Sequence, residues 1–325
     1  MRVGVIGGGA WGTALAQVSA EGGETLLWAR EPEVVEAVNG GGENTLFLPG
    51  IRLSPAIRAT GDLDALAACE ALLVVTPAQH MRAVLASMPR LLIPLILCAK
   101  GIEERTMELM HEVARDAQPQ ASVAVLSGPT FAHEVAAGLP AAVTLAIEDQ
   151  ALGERLRDRL ARPWFRPYLS DDVIGAEIGG AVKNVLAIAC GVVDGAGLGQ
   201  NARAALISRG FAEMARFGLA RGARAETLAG LSGLGDLVLT CSSTSSRNFS
   251  LGKGLGEGRS AAALLADRRT IAEGAFTAPV LARAAVQAGV DMPIVDAVRA
   301  LLAGEASVDD IVGRLLARPL RDERG

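Results

Sequence analysis

The stretch VGVIGGGAWGTALA, residues 3–16, decides the fold of the first part of the chain. An apolar strand pattern ends at Ile6, and Gly7, Gly9 and Gly12 follow in the spacing Gly-x-Gly-x-x-Gly before a helical pattern begins. Among 38 glycines this spacing arises by chance in roughly every second such chain, but its place between a strand and a helix is specific. There the glycines permit a tight turn, a close approach of a pyrophosphate and close helix packing. The stretch therefore predicts dinucleotide binding.

The first half of the chain alternates short apolar runs with helical patterns, as parallel sheets wrapped by helices do. The runs predict six strands: Arg2–Ile6, Thr25–Trp28, Ala71–Val75, Leu95–Ala99, Val123–Ser127 and Ala142–Ile147. Helical patterns between them include Gly12–Glu21 and Arg105–Ala117. From Asp171 onward the pattern is almost entirely helical, with Gly- and Ser-rich loops at 230–247 and 254–260. We therefore predict an α/β Rossmann-type domain with a mostly parallel, doubly wound sheet (1–170), followed by an all-α domain (171–325).

Unusual residues stand at the carboxyl ends of several predicted strands, where ligands of open α/β sheets bind. Arg30 and Glu31 follow the second strand. An acid there hydrogen-bonds the ribose 2′-hydroxyl of NAD, whereas an arginine suits the 2′-phosphate of NADP. The mixed pair predicts NADP or NAD, with a slight preference for NADP. Lys100 directly follows another strand, and is either a solvated lysine at a loop start or a ligand contact on the cofactor edge.

Lysine is rare in this chain. It accounts for three of the 31 basic residues: Lys100, Lys183 and Lys253. Arginine stays protonated in proteins, whereas lysine can give up a proton. Lys183 lies in GGAVKNVLAIACG, residues 179–191, and its helical neighbours Gly179, Gly180 and Ala187 form a strip that another object can approach closely. The helix alone leaves two interpretations open: a lysine that transfers a proton, and a lysine that snorkels over a small-residue helix contact.

A second constellation lies in LSGLGDLVLTCSSTSSRNFSLGKG, residues 231–254. Asp236 stands in a glycine turn, and Arg247 and Asn248 stand where a helical pattern restarts. An arginine fork, an amide and the N–H groups of a helix start together suit a small phosphate dianion. The alternative is an N-capped helix that follows a flexible linker.

Composition excludes several other classes of protein. The net charge of −5 argues against a nucleic-acid partner, because no basic excess would neutralise phosphates. The four cysteines are far apart and no histidine stands near them at ligand spacing, so we predict reduced, mostly buried thiols of a cytoplasmic protein and no metal site. Residues 178–200 are long enough to cross a bilayer, but Lys183, Asn184 and Asp194 interrupt them, so we predict no integral membrane segment.

The joint pattern of motifs resembles the bacterial NAD(P)-dependent glycerol-3-phosphate dehydrogenases. The motifs occur in order over nearly the whole chain: GxGAWGTALA (7–16), CAKGIE (98–103), SGPTFA (127–132), EIGGAVKNV (177–185), GLGDL (233–237), SSRN (245–248) and EGAFT (273–277). Thr130 stands where serine is common in the family, and Leu53-Ser54 stands where Leu-Pro is usual. The resemblance implies reduction of dihydroxyacetone phosphate, a small phosphorylated three-carbon substrate, to sn-glycerol 3-phosphate for phospholipid synthesis.

The resemblance also implies roles for individual residues. Lys183 would be the catalytic proton donor and acceptor, and Asp236 its polar companion. The substrate would contact Lys100, Gly128, Thr130, Asn184, Ser246, Arg247 and Asn248. The cofactor would contact Gly7, Gly9, Ala10, Trp11, Gly12, Arg30, Lys100, Ala132, Arg247 and Glu273. No metal is implied. The small-residue helices could pack within one chain or across a homodimer.

The chemistry of ketone reduction agrees with a lysine at this place. When hydride adds to the ketone carbon, the developing alkoxide needs a proton, which a lysine supplies and an arginine does not. His80, His111 and His133 lie in the first domain and are predicted to be surface or packing residues.

Two other functions are compatible with a Rossmann-type domain followed by helices. A β-hydroxyacid dehydrogenase of the hydroxyisobutyrate type would space its Lys and Asn one helical turn apart, whereas Lys183 and Asn184 are adjacent. A non-catalytic NAD(P)H-binding regulator would need no proton donor, and the sequence shows no DNA-binding segment.

Overall fold

A single sheet organises the first part of the protein. In the computed structural model, which describes residues 1–266 and 272–316, this sheet has eight strands. They are β1 Val3–Ile6, β2 Thr25–Trp28, β3 Ile57–Thr60, β4 Ala71–Val74, β5 Leu95–Leu97, β6 Val123–Ser127, β7 Ala141–Ala146 and β8 Phe165–Ser170. The order across the sheet is β3-β2-β1-β4-β5-β6-β7-β8, and every neighbouring pair is parallel except β6–β7. The predicted mostly parallel, doubly wound sheet is confirmed.

The strand order reverses at β1: β2 lies on one side of it and β4 on the other, and both pair in parallel with the same four residues, Val3–Ile6. In open α/β sheets a reversal of this kind leaves a crevice at the carboxyl ends of the strands. The Gly-rich turn after β1 and the residues after β4 therefore lie at the edge where a ligand is expected.

Apolar residues cover both faces of the sheet, which explains the continuous apolar runs of the central strands. Val3 and Val5 belong to one buried cluster, together with residues of α1 and α6, whereas Ile6 belongs to a second cluster with residues of α3 and α4. The helices in chain order are α1 Ala10–Ala20, α2 Pro32–Glu36, α3 Ala78–Ser87, α4 Met110–Ala117, α5 Ala132–Ala136, α6 Gln150–Leu160, α7 Val173–Gly195, α8 Gly199–Ala220, α9 Ala225–Leu228, α10 Asp236–Thr240, α11 Arg247–Gly256, α12 Ala261–Leu265, α13 Glu273–Gln287, α14 Pro293–Leu302 and α15 Val308–Leu316.

Two strands, β3 and β8, are absent from the sequence-based prediction. Both lie at the edges of the sheet, where one side of the strand has no neighbour. Their sequences, IRAT and FRPYLS, alternate buried and exposed residues and include Pro167, which a central strand excludes. A search for continuous apolar runs finds central strands but misses edge strands of this kind.

The predicted helix Arg105–Ala117 is wrong at its start, because α4 begins at Met110. The preceding loop is held by Arg82, whose guanidinium pairs with Glu103 at 2.7 Å and Glu108 at 2.5 Å. Met107 takes a φ of 62°, which a helix does not allow. Tertiary ion pairs therefore override the helical pattern in this loop.

The chain divides into two compact units by its internal contacts. One contains Met1–Gly180 with Gly222–Asp236, and the other contains Ala181–Arg221 with the chain from Leu237 onward. The sheet belongs to the first unit, and the described part of the second is helical. The α/β domain followed by an all-α domain is thus confirmed as a fold class, while the boundary at residue 170 stays a prediction.

Helix α7 is buried on all sides rather than along one stripe. From Ala176 to Val192 every residue is buried, including those outside the predicted core stripe of Ile178, Val182, Val185 and Ala189. Among the described residues α7 is the one helix long and apolar enough to cross a membrane, but 94% of its most apolar window is buried inside the protein. This is the pattern of a core helix.

The glycine- and serine-rich segments predicted as loops contain helices. A π-helical turn spans Leu231–Gly235, α10 follows it directly, and α11 continues to Gly256. A Cβ added at Gly256 would lie 2.4 Å from the carbonyl oxygen of Val192 in α7. The glycines of these segments serve close backbone packing, which composition alone does not distinguish from flexibility.

A buried carboxylate connects α8 to α14 in the second unit. Glu213 accepts the N–H groups of Ile294 at 2.9 Å and Val295 at 3.3 Å, in the first turn of α14. Burial raises the pKa of Glu213 from 4.5 to about 7, although the two N–H donors act in the opposite direction. Between these pH values the folded state keeps a proton that the unfolded state releases. The free energy of unfolding therefore falls as pH rises through this window.

The variant Glu213→Gln is expected to lose this part of the pH dependence. Urea unfolding at about pH 5 and about pH 8 should show the wild type losing up to about 3 kcal/mol more than the variant. Glu226→Gln, a change at an exposed glutamate, serves as the control. The same pH dependence in all three proteins would show that Glu213 titrates normally.

Candidate active site

The Gly-rich turn between β1 and α1 has the geometry that its spacing predicts. Gly7 has a φ of 123°, which L side chains rarely adopt, and its N–H donates to the carbonyl of Trp28 at 3.0 Å. A Cβ at Gly12 would lie 1.8 Å from the carbonyl oxygen of Gly7. A Cβ at Gly9, in contrast, would meet no atom within 4 Å. The backbone is therefore tightly packed at Gly7 and Gly12, whereas the space next to Gly9 is open to a ligand.

The start of α1 presents donors toward that open side. Gly9 is the N-cap residue and no side chain caps it, so the first N–H groups of the helix, from Ala10 onward, lack intrahelical acceptors. The Nε1 of Trp11 is buried and has no hydrogen-bond partner within residues 1–266 and 272–316. An uncapped helix start with an orphaned indole N–H fits the pyrophosphate of a dinucleotide.

A groove of about 540 Å³ lies beyond β2, lined by Ala29, Arg30, Val35, Asn39 and Gly61 among others. Arg30 is 79% exposed, and its Nε and Nη2 donate to Oε1 of Glu31 at 3.2 and 2.9 Å. The volume and the position fit the adenosine part of the same ligand. Arg30 and Glu31, which give the mixed cofactor signal in the sequence, thus lie against each other.

Lys100 is the centre of a polar cluster in the first unit. Its Nζ donates to Oδ2 of Asp236 at 2.7 Å and to the carbonyl of Gly128 at 3.1 Å, and the Asp236 side chain is fully buried. Thr130 donates to the same carbonyl at 3.3 Å. The structure therefore brings four predicted site residues together and rules out the solvated-lysine interpretation of Lys100. The role of Asp236 as companion of Lys183 stays a prediction.

The small-residue strip of α7 accommodates the chain's own backbone. A Cβ at Gly179 would lie 2.3 Å from the carbonyl oxygen of Ser232, in the turn that leads to Asp236. A Cβ at Gly180 would meet Oγ of Ser127 and Cγ of Lys100, at 3.1 and 3.2 Å. The predicted close approach is therefore real, and its partners are the Asp236 turn and Lys100.

Lys183 is buried and hydrogen-bonded in the second unit. The residue is 6% exposed, and its Nζ donates to Oγ1 of Thr240 in α10 at 2.8 Å. A buried amino group that donates to a neighbouring hydroxyl is not a snorkelling lysine, whose charge would reach bulk water. The structure therefore argues against the snorkelling interpretation, and the proton-transfer role of Lys183 stays a prediction.

The phosphate-receptor residues lie at the start of α11. Ser246 is its N-cap and accepts the N–H of Phe249 at 3.2 Å, while Asn248 donates to Oδ1 of Asn184 at 3.0 Å. The Oδ1 of Asn248 accepts the N–H of Gly274 in α13, the helix that Glu273 begins. Arg247 is exposed, and its side chain makes no ion pair or hydrogen bond with the part of the chain that the structure describes. Ala132, the first residue of α5, lies partly exposed in the first unit.

Comparisons with known proteins identify the family. A family model described as NAD-dependent glycerol-3-phosphate dehydrogenase N-terminus matches residues 2–153, and the C-terminus model matches residues 172–313. The chain belongs to the NAD-dependent glycerol-3-phosphate dehydrogenase family. It is 67% identical to the glycerol-3-phosphate dehydrogenase (NAD(P)+) of Erythrobacter litoralis over 99% of this chain and 98% of that one. The enzyme of the same name from Novosphingobium aromaticivorans is 66% identical over the same shares.

Solved structures of the glycerol-3-phosphate dehydrogenase family share the fold. The crystal structure of the glycerol-3-phosphate dehydrogenase from Coxiella burnetii superposes with a TM-score of 0.93 at 37% identity, covering 98% of this chain and 99% of that one. The resemblance drawn from the motifs is confirmed. Neither the β-hydroxyacid dehydrogenase nor the non-catalytic regulator is favoured by these matches.

Three structural partners in this glycerol-3-phosphate dehydrogenase family member escape sequence reasoning. Thr240, the acceptor for Lys183, follows the apolar residues 237–239 and lies between the GLGDL and SSRN motifs rather than in either. His111, predicted as a surface or packing residue, is buried, and its Nδ1 lies 2.6 Å from Oε2 of Glu177. Burial favours a neutral ring, but the hydrogen bond and charge of Glu177 raise the pKa of His111. Asn44 is also fully buried, against the Gly-rich turn.

Proposed function

We propose that this protein catalyses the NAD(P)H-dependent, reversible reduction of dihydroxyacetone phosphate to sn-glycerol 3-phosphate, which supplies glycerophospholipid synthesis. The supporting observation is a buried, hydrogen-bonded Lys183 in a chain 67% identical to an enzyme named for this reaction. The cofactor, when bound, supplies the hydride that adds to the ketone carbon.

Lys183 donates the proton that completes the alcohol. As the C=O bond becomes a C–O bond, negative charge develops on oxygen, and a nearby ammonium both stabilises the charge and gives up its proton. Thr240 holds the Lys183 ammonium in one position. In the reverse direction the neutral amine of Lys183 takes the hydroxyl proton.

The substrate phosphate is assigned to the start of α11. Arg247 supplies a guanidinium fork, and Asn248, which its bonds to Asn184 and Gly274 hold in place, supplies an amide edge. Ser246 caps the helix and leaves the remaining first-turn N–H groups available to an anion.

Lys100 is assigned to the substrate and the cofactor, with Asp236 orienting it. The Lys100–Asp236 pair is buried on the carboxylate side, so the ammonium is held in one direction rather than sampling rotamers. A fixed positive charge of this kind favours a phosphorylated, electron-rich ligand.

NADP is the favoured cofactor of the two, on the basis of Arg30. Its guanidinium lies exposed at the rim of the groove beyond β2, where the 2′-phosphate is expected.

We further propose a cytoplasmic location, since Cys69, Cys98, Cys190 and Cys241 are all buried free thiols. Light scattering of the purified protein decides whether it forms a homodimer.

Two glycine substitutions separate cofactor binding from folding. Gly9→Ala has an allowed φ of −71° and open space for its methyl group, so it should leave the melting temperature unchanged but raise the Kd for NAD(P)H by about 10-fold or more. Gly12→Ala drives its methyl into the Gly7 carbonyl and should lower the melting temperature. Gly41→Ala, with open space and no ligand role, should change neither. Tight cofactor binding by Gly9→Ala would place the pyrophosphate elsewhere.

The proposed reaction is tested by its product. NAD(P)H and dihydroxyacetone phosphate should disappear in a 1:1 ratio, and the product should be the sn-3 and not the sn-1 enantiomer of glycerol phosphate. Turnover of 3-hydroxyisobutyrate instead would favour the β-hydroxyacid dehydrogenase. Tight NAD(P)H binding without turnover of either substrate would favour the non-catalytic regulator.

A further inference from the structure

A buried asparagine ties a long loop to the Gly-rich turn. Asn44 is fully buried, and its Nδ2 donates to the carbonyl of Gly8 and to Oγ1 of Thr13, both at 2.8 Å. Its Oδ1 accepts the N–H of Phe47 at 3.1 Å. The Asn44 amide thus donates to the Gly-rich turn and to α1, and not within its own loop.

The loop that carries Asn44 is itself fixed. The N–H of Leu53 donates to the carbonyl of Gly42 at 2.8 Å, which closes the loop at its base. The N–H of Ser54 donates to Oε1 of Gln17 on α1 at 2.8 Å. Asn44 therefore acts from a rigid position relative to α1.

The bond to Gly8 sets the direction of the next N–H group. A peptide unit is planar and trans, so the Gly8 carbonyl and the Gly9 N–H point in opposite directions. With the carbonyl held by Asn44 and Thr13 on the protein side, the Gly9 N–H points away from them. It donates to no acceptor among the described residues, and the space above Gly9 is open.

We propose that Asn44 is a positioning residue for the cofactor pyrophosphate: it locks the Gly8–Gly9 peptide so that the Gly9 N–H joins the donors at the start of α1. The inference rests on the proposed function, because it presumes a dinucleotide at this turn. It differs from the glycine fingerprint, which explains why the ligand can approach but not what holds the peptide in the binding orientation.

The test replaces the donor by an acceptor of the same size. In Asn44→Asp a carboxylate oxygen faces the Gly8 carbonyl, so the hydrogen bond that fixes the Gly8–Gly9 peptide is lost. Binding of NADPH or NADH, whichever the wild type binds more tightly, is followed by nicotinamide fluorescence, and binding of ADP-ribose by calorimetry. Both Kd values should rise about 10- to 100-fold. At saturating cofactor, kcat and the KM for dihydroxyacetone phosphate should stay within about twofold of the wild type.

A matched control exists in the same unit. Gln118 is buried too, with Nε2 donating to the carbonyls of Leu85 and Pro89 and Oε1 accepting the N–H of Leu91. Gln118→Glu makes the same exchange of donor for acceptor away from the Gly-rich turn. It should lower the melting temperature and leave both Kd values unchanged.

A second pair of variants keeps the test decisive if Asn44→Asp does not fold. Thr13→Val removes the hydroxyl that accepts from Asn44 and donates to Gly8, so it should weaken binding of the cofactor. Thr13→Ser keeps that hydroxyl and should bind the cofactor as the wild type does. Wild-type affinity in Asn44→Asp, or in Thr13→Val where Asn44→Asp does not fold, would overturn the inference alone, as would an equal loss in Gln118→Glu. Failure of the wild type to bind either cofactor would overturn the proposed function as well.

Discussion

Replacing Lys183 with methionine is expected to lower kcat by about 10²–10⁴-fold, the usual contribution of a positioned general acid. The side chain is buried and donates to Thr240, so methionine keeps its length and apolar contacts while removing the proton and the charge. The Kd for NAD(P)H should stay near the wild-type value. Steady-state kinetics at saturating cofactor, with a fluorescence titration of the cofactor, measure both quantities.

Lys183→Arg separates proton transfer from charge. Arginine keeps the positive charge but does not release a proton near neutral pH, so it should remain strongly impaired. Lys253→Met is the control, because Lys253 lies on the surface and pairs with Asp194. Near-wild-type turnover by Lys183→Met, or rescue by Lys183→Arg, would show that another group supplies the proton.

Replacing Arg247 with alanine is expected to raise the KM for dihydroxyacetone phosphate by about 10²-fold with a smaller change in kcat. A hydrogen bond to a charged group contributes about 1.5–3 kcal/mol, and a guanidinium fork can make two to one phosphate. Because Arg247 is exposed and has no partner among the described residues, its loss should not lower the melting temperature.

The unphosphorylated substrate makes the Arg247 prediction specific. Activity with dihydroxyacetone should not change in Arg247→Ala, so the preference for the phosphate ester shrinks. Arg247→Lys should recover part of the affinity, and Arg259→Ala, at another exposed arginine, should behave as the wild type. An equal loss with both substrates would contradict a phosphate contact.

The sequence predicts those parts of the site whose chemistry is local. The spacing of Gly7, Gly9 and Gly12 predicts the turn, because conformation there depends on the residues themselves. The scarcity of lysine points to Lys183 and Lys100, and both prove to donate to polar side chains, those of Thr240 and Asp236. The central strands β2 and β6 are predicted to the residue, because burial on both faces demands continuous apolar runs.

What the sequence misses depends on contacts distant in the chain. Arg82 holds the loop before α4 through ion pairs with Glu103 and Glu108, and no local sequence pattern predicts these ion pairs. Asn44 and Gly8 are likewise joined by folding rather than by sequence spacing. The glycines near α10 and α11 look like loop residues until the backbone of α7 is seen packed against them.

The most direct measurement is the oxidation of NADPH and NADH by the purified protein, each with dihydroxyacetone phosphate and with dihydroxyacetone. We expect fast oxidation with the phosphate ester alone, and faster oxidation of NADPH than of NADH because of Arg30. Equal rates with both ketones would contradict phosphate recognition at Arg247. If the protein binds NADPH and NADH but oxidises neither, the catalytic role of Lys183 is contradicted.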